Sequence, residues 1–370
     1  MAGTARISNA QLVCAVTLSQ HVAAVLFLPA IMANEAGRDA WMAPTVGLLV
    51  GALPSALLLG ALIRYHPGRS FGEIAEHCLG RWVGKLVTLI LALLSLMVVA
   101  LCLEDVIVFI PTTVLPGTPG WAVGLGMALV VLYGAYQGGE VLVRAAVLVI
   151  LALGAAYLFI LVGLSPFYSV LHLSPLFEEG VMPVVKAGLV PAGWFAEIWF
   201  FAEFLALLDR PERGGRSLIL GSVLGAVVLT KLALEGVMAF GADLVAHLAY
   251  PSYTLVQQLT LGEFMERLEV VIITLWLSGM IVKTGLYLWI SHISLARVLG
   301  VKNARKLLPW LGATALGITF LNPNIISLFT LARTYWTPLA LPLSVAIPGL
   351  LLVISWWKAR AGRKQRDLGA

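Results

Sequence analysis

Charge is what this chain has least of. Only 12% of its 370 residues are Asp, Glu, Lys or Arg, while 60% are hydrophobic. A soluble domain carries about 25% charged and about 45–50% apolar residues, so this chain has too little polar surface to stay in water. A soluble globular class is excluded, and a mean hydropathy of +0.95 indicates a membrane protein. Cysteine is scarce too. Cys14, Cys78 and Cys102 form no C-x-x-C pair and no even-numbered disulfide framework. Cys14 and Cys102 read as small apolar residues within spans, and Cys78 as a loop thiol. The motifs of soluble enzymes are missing: there is no G-x-S-x-G, H-E-x-x-H or P-loop. Residues 73–77 (Glu-Ile-Ala-Glu-His) approach a metal-binding helix, but an inverted zinc motif needs His where Glu73 stands. They read as a solvated loop face. No catalytic residue, metal or cofactor is expected. The net charge of +5 lies in short loops and in a tail holding Lys358, Arg360, Arg363, Lys364 and Arg366. That placement suits anionic lipid and carries no nucleic-acid motif.

What is present is a series of long apolar runs. A span needs about 20 mostly apolar residues, with its backbone hydrogen bonds closed internally. Ten stretches qualify, at roughly 9–33, 43–63, 83–109, 120–136, 142–164, 191–208, 218–240, 269–290, 307–327 and 338–357. Arg6 before the first run is a weak basic start for a cleaved signal, so that run reads as the first span. With the N-terminus inside, eighteen Lys and Arg residues fall in cytoplasmic segments. Only Arg38, Lys186, Arg267 and Arg333 fall outside. This bias orients the chain with both termini in the cytoplasm. Residues 64–82 predict a cytoplasmic amphipathic segment, with Phe71, Ile74, Ala75, Cys78 and Leu79 at helical spacing. Residues 241–268 form the longest outside connection, with a short helix expected after Pro251. The expected class is an all-α polytopic membrane protein. It forms one integral domain over 1–370, ending in a basic tail at 358–370.

Two spans are poor helices. Span one carries Gln20-His21 near its middle and Pro29 further out; span six begins at Pro191-Ala192-Gly193 and holds Glu197 and Glu203. They are the first spans of the two halves, about 9–164 and 191–357. Paired interruptions at matching places point to inverted repeats with a ligand site at the midplane. Half-helix N-termini would face a carboxylate there, and a carboxylate side chain or exposed carbonyls would take an ammonium. The plainer reading has Gln20 and His21 bonding across helices and Pro29 kinking the span. Charges within spans need partners or a wet cavity. Glu104 and Asp105 come about 20 residues into span three, where hydration at the outer interface is one reading. Lys231 and Glu235 are spaced for an i,i+4 pair, with a cavity-facing role as the alternative. Glu197 stands out as the carboxylate to meet an ammonium ligand or Lys231, and Glu203 is one candidate partner for Lys283; the sequence leaves open which lysine meets which acid. The Gly120-to-Gly124 and Gly221-to-Gly225 spacings fit close helix packing.

Fragments along nearly the whole chain resemble one family. They include Ile7-Ser8-x-x-Gln11-Leu12, Leu28-Pro29, Asp39-Ala40-Trp41, Leu79-Gly80-Arg81-Trp82-Val83-Gly84-Lys85 and Thr118-Pro119. Gly138-Gly139-Glu140-Val141-Leu142-x-Arg144, Tyr250-Pro251, Phe264-Met265-Glu266-Arg267-Leu268-Glu269 and Trp276 follow in order. The chain resembles the spore germination permeases, the B subunits of germinant receptors, within the amino acid–polyamine–organocation superfamily. The resemblance implies a leucine-transporter-type 5+5 inverted repeat with helices one and six broken. It implies a sensor of small nutrients, often L-amino acids, in the spore inner membrane, working with A-type and C-type subunits. The ligand would sit between spans one and six, with spans three and eight opposite. Matched by position, the first-span break falls on Val22-Ala23-Ala24, which lacks the family's common glycine. The sixth-span acid matches Glu197, and Thr284 falls near the ligand-facing part of span eight. Glu104 stands where many members show Arg, a departure that suggests a different ligand. An ion-coupled amino acid or amine symporter on the same fold is the alternative function.

Overall fold

The computed structural model describes residues 6–259, 268–321 and 331–367. The Phe264–Arg267 part of the resemblance, the end of the ninth expected span beyond 321, and tail residues 368–370 lie outside these.

The chain is almost wholly helical. Helix α1 (Asn9–His21) is started by a capping box, which is what the Ser8-x-x-Gln11 fragment encodes. The Gln11 N–H donates to Ser8 Oγ at 3.2 Å, and the Ser8 N–H to Gln11 Oε1 at 2.8 Å. After a break, α2 (Leu28–Ala36) leads through a 3₁₀ turn (Gly37–Met42), α3 (Ala43–Gly47) and a π turn (Leu48–Ala52) into α4 (Leu53–Tyr65). No extended loop separates spans one and two; Pro44 and Pro54 stand at helix-start positions after each irregular turn.

Helix α5 (Phe71–Leu79) starts with a second capping box, Ser70 with Glu73. It buries Phe71, Ile74, Ala75 and Cys78, while Glu73 and His77 face outward. The helical spacing expected for this segment is present, with residues 73–77 on the helix rather than in a loop. Cys78 departs from expectation: it is a buried helical thiol whose Sγ lies 3.2 Å from Ser355 Oγ. Gly80 (φ 81°) then turns the chain into α6 (Arg81–Phe109), and Gly138 (φ 106°) does the same between α7 (Gly120–Gln137) and α8 (Gly139–Gly163). Side-chain-bearing residues rarely adopt such torsions.

In the second half, α9 (Met182–Ala196) continues as a 3₁₀ helix over Glu197–Leu207. The sixth span therefore begins nine residues before the expected Pro191, with Pro183 in its first turn and Pro191 inside the helix. Next come α10 (Gly214–Phe240), α11 (Ala242–His247) and α12 (Pro251–Val256), the short helix expected after Pro251. Helices α13 (Leu268–Leu299), α14 (Leu308–Thr319) and α15 (Thr337–Asp367) follow. Among the described residues, eight helices are long and apolar enough to cross a membrane. Their outward faces are the large apolar side chains that lipid would cover, such as Leu129, Leu148, Leu151 and Val162.

Small residues seat the central helix. A Cβ on Gly221 would meet Val16 Cβ at 2.7 Å, and one on Gly225 would meet Gln20 Cβ at 3.3 Å, so α1 lies close along α10. The end of span six is tied back to the chain start: the Ile7 N–H donates to Leu207 O at 2.9 Å, and the Asp209 N–H to Ile7 O at 3.1 Å.

Candidate functional site

Two runs of the chain are buried on every side, residues 15–30 and residues 190–205. A helix buried all round lies at the centre of its bundle. These are also the two places where regular α-helix stops. After α1, Val22–Phe27 form turns; the Ala24 and Val25 N–H groups both reach His21 O, at 3.0 and 2.9 Å. No residue in this stretch has a positive φ. The break is built from right-handed torsions, so it needs no glycine at Val22-Ala23-Ala24. Two of its carbonyls are capped from elsewhere. Trp276 Nε1–H donates to Val22 O at 2.8 Å, and Ser252 Oγ–H to Val25 O at 2.6 Å. In span six, α-helix yields at Glu197 to eleven residues of 3₁₀ helix. Runs beyond three or four residues are uncommon, and a mid-helix one marks a hinge or strain.

Beside these two irregular stretches lie the most deeply buried parts of α6 and α13, residues 102–110 and 282–288. Between them lies a small, mostly apolar cavity of about 30 Å³, room for one or two water molecules. Ala23, Asp105, Trp194, Glu197, Lys283 and Trp336 are among its walls. Lys283 Nζ is 3.0 Å from Glu197 Oε2, with their side chains 1% and 3% exposed. Tyr287 OH donates to the same oxygen at 2.8 Å and shares a 2.8 Å hydrogen bond with Ser19 Oγ. One polar chain thus runs from α1 through α13 to the start of the 3₁₀ stretch. Asp105 is 2% exposed, and neither of its oxygens has a hydrogen-bond partner among the described residues.

The other expected residues sort around this cavity. Ala23, Glu197 and Lys283 line it. Gln20 backs it, its Nε2 donating to Phe195 O at 3.3 Å, while Val22 packs on α13 at Gly279. The Ala24 carbonyl accepts from the Leu28 N–H. Thr284 follows Lys283 in α13 but spends its hydroxyl on Met280 O at 2.6 Å. His21 donates from Nδ1 to Thr17 O at 2.6 Å and meets the Tyr157 ring edge-on. Tyr157 in turn lies under Lys231, 5.4 Å from Nζ to the ring centre. Lys231 and Glu235 form the i,i+4 pair at 2.8 Å.

Of the pairings the sequence leaves open, Glu197 meets Lys283 rather than Lys231. Glu203 meets no lysine among the described residues; it accepts the Gly72 N–H at 3.3 Å, in the first turn of α5. A 3₁₀ stretch rises about 2 Å per residue, so Glu203 sits about 12 Å beyond Glu197, further than an α-helix would carry it. Glu104 and Asp105 are buried rather than hydrated at an interface. The first turns of α6 lie against α5, where a Cβ on Gly84 would strike Glu76 Cα at 2.4 Å. Counting depth from Val83 therefore sets Asp105 too far out. Asp105, which lines the cavity, and Tyr287, Trp276 and Ser252, which brace its surroundings, are not among the expected ligand residues. The one usable signal was an acid sequentially adjacent to another within an apolar helix.

A bundle of membrane-length helices, two of them interrupted beside a small buried cavity, defines a polytopic integral membrane protein. Its fold is similar to that of Mhp1, a nucleobase-cation-symport-1 family transporter solved in a closed conformation with bromovinylhydantoin bound. The TM-score is 0.69 at 12% identity, covering 95% of this chain and 80% of that one. The family model described as "Spore germination protein" matches residues 6–325, and the chain belongs to this spore permease family. Spore germination protein KB of Bacillus subtilis (strain 168) is 26% identical over 378 residues, covering 98% of each chain. YndE of the same organism is 22% identical over 364 residues, 96% of this chain and 98% of that one. Spore germination protein XB of Bacillus anthracis is 19% identical over 269 residues, 72% of this chain and 74% of that one. Family and fold are those of a membrane permease and not of an enzyme.

Proposed function

We propose that this chain is the permease-like, nutrient-sensing subunit of a spore germinant receptor. It binds a small nutrient at the membrane midplane, of the amino-acid class the family resemblance implies, and signals to A-type and C-type partner subunits. In this reading it is a single integral domain of ten spans arranged as two inverted repeats of five. It lies in the spore inner membrane with both termini cytoplasmic and its basic tail on the lipid surface. The first-span half Asn9–His21 and the span that includes Leu308–Thr319 supply the two spans beyond the eight that meet the length criterion. Ala23, Glu197 and Lys283 contact the ligand. Gln20, Val22, Ala24 and Thr284 hold the walls, while His21, Lys231 and Glu235 form a second polar cluster behind the break.

The observation that carries this reading is the meeting of two irregular, all-round-buried stretches at one small cavity beside the Glu197–Lys283 pair. Such a cavity must open for a ligand, and a ligand preferring the opened form shifts the population toward it. The test is nutrient response in the assembled receptor with Glu197→Ala or Val22→Trp. Glu197→Ala strands Lys283 and Val22→Trp crowds the contact at Gly279, so assembly is measured first; assembled receptors of both variants should lose the response, and a wild-type response in both overturns the site. Sustained nutrient accumulation in liposomes by the chain alone would assign ion-coupled transport instead of sensing.

A further inference from the structure

Span six meets α5 near its end, at Glu203. At its start, three connections gather around a second and larger cavity, of about 350 Å³ against about 30 Å³ at the midplane. Ala36–Asp39 follow α2, the stretch from Leu171 to Pro183 leads into α9, and Gly241–Asp243 follow α10. The charges here are uneven. Asp39, Glu178, Glu179 and Asp243 line the cavity against Arg38, and Arg38 is already paired with Glu178 at 3.2 Å. The connection into α9 also exposes Val170, Leu171, Leu176 and Phe177, Leu171 by 82%. Phe177 holds a left-handed φ of 54°, uncommon for a bulky side chain, and its N–H donates to Asp39 Oδ2 at 2.9 Å. Strain of this kind persists only where the surrounding structure holds it, and it clusters at binding and switch regions.

We propose that a partner receptor subunit docks on this face through a basic segment, which sets a Lys or Arg side chain in the acid-lined cavity and apolar side chains over Leu171, Leu176 and Phe177. This rests on the reading of the chain as a receptor subunit and assigns the partner its place. Large apolar side chains gathered on one exposed connection mark a contact surface, and charge selects the occupant. Anionic lipid is drawn to Lys and Arg, whereas acids are in excess here. A second copy of this chain in a two-fold contact would set the same acids against each other. A basic protein segment satisfies both cavity and rim, and Arg and aromatic side chains are the usual anchors of such contacts. The place also suits signalling. Helix α2 runs directly from the break at Val22–Phe27 to the cavity wall at Ala36. Two residues on, Arg38 donates to Ser174 O at 2.7 Å, and Asp39 holds Phe177. A change at the break thus reaches the docking face through one short helix.

The test is photocrosslinking in the receptor assembled with its A-type and C-type subunits, from p-benzoylphenylalanine in place of Leu171. The same probe in place of Leu148, exposed on α8, is the control. The probe at 171 should form an adduct with a partner subunit, at a peptide carrying Lys or Arg, and the probe at 148 should form none. Glu179→Lys with Asp243→Lys should cut the adduct roughly tenfold or more, because like charges then meet at the contact. Raising salt from about 0.05 to about 0.5 M should lower the yield without any substitution, a readout independent of how the reversed variant folds. An adduct with lipid alone or with a second copy of this chain overturns the proposal, as does a yield indifferent to both charge reversal and salt. If the A-type and C-type subunits co-purify with the chain but the probe at 171 reaches neither, this proposal fails while the receptor reading stands. If neither subunit co-purifies, both fail.

Discussion

Removing the ammonium of Lys283 should be among the most damaging single changes in the protein. At 3.0 Å and an effective dielectric of about 20, its attraction to Glu197 is roughly 5–6 kcal/mol. Burying both groups offsets much of that, so the pair as a whole is worth little. Breaking it is different. Lys283→Met leaves the Glu197 carboxylate buried with only the Tyr287 hydroxyl for company, at a cost of about 3–5 kcal/mol. Glu197→Gln strands the lysine in the same way, though the amide oxygen still accepts from Tyr287. The double variant buries no net charge at this pair and should recover most of the loss, with a coupling energy of about 2–3 kcal/mol. Reversible unfolding of the purified protein in mixed micelles, followed by far-ultraviolet circular dichroism, measures all three. If the two single effects add within about 0.5 kcal/mol, the pair is not the coupled unit described here.

The carbonyl caps of the first-span break are the next point of attack. Trp276→Phe and Ser252→Ala should each cost about 1 kcal/mol and raise amide hydrogen exchange in residues 22–27; unchanged exchange there would show that the break does not depend on them. Gly221→Leu would drive a side chain into Val16 Cβ and Val13 O, 2.7 and 2.9 Å from the new Cβ, destabilising the α1–α10 contact by about 1–3 kcal/mol; a wild-type unfolding transition would refute that packing. Acid should loosen the junction between α5 and α15. His66 Nε2 and Ser355 Oγ are 2.8 Å apart, and Lys358 Nζ donates to His77 O at 2.6 Å. Burial first, then the neighbouring positive charges of Arg69 and Lys358, hold both histidines below their ordinary 6.5, and His77 itself adds to the effect on His66. Stability from these groups is complete above about 6.5 and is lost as pH falls through their lowered values. Exchange in α5 should therefore rise on acidification, and His66→Gln should flatten the dependence; equal slopes in both proteins would rule it out.

Much of this architecture can be read from residue order alone. The apolar runs are long, the Ser8 and Ser70 capping boxes are local, and the Lys231–Glu235 pair lies one helical turn apart. Each is decided within a few residues, where spacing and contact coincide. The site is not of that kind. Lys283 reaches Glu197 across 86 positions of sequence, and its choice over Glu203 depends on the switch from α to 3₁₀ geometry at Glu197. No propensity in Glu-Ile-Trp-Phe-Phe-Ala-Glu announces that switch. Asp105 was misplaced because hydropathy marks where a helix turns apolar, not where it meets a neighbouring helix such as α5. The break at Val22–Phe27 was anticipated in position, but a missing glycine argued against it only on the assumption of left-handed torsions. Trp276 and Ser252, which cap its carbonyls, come from elements some 230 to 250 positions away.

The energies at the cavity suggest which contacts a ligand can change. Moving a two-state equilibrium from 1:99 to 99:1 takes about 5.5 kcal/mol of differential affinity. A ligand of five heavy atoms at the ceiling of about 1.5 kcal/mol per atom could supply that and little more. The Trp276 and Ser252 hydrogen bonds to the break, at about 1 kcal/mol each, lie within this reach. Separating Lys283 from Glu197, at about 3–5 kcal/mol, would consume nearly all of it. The physical division is therefore between a fixed core and a movable rim. The Ser19–Tyr287–Glu197–Lys283 chain keeps α1, α13 and the start of the 3₁₀ stretch in register, while Val22–Phe27, α12 and the Trp276 ring are the parts a small ligand can rearrange. A response seen as changed hydrogen exchange at residues 22–27 and 251–256, with the amides around Tyr287 unchanged, is the pattern this division requires.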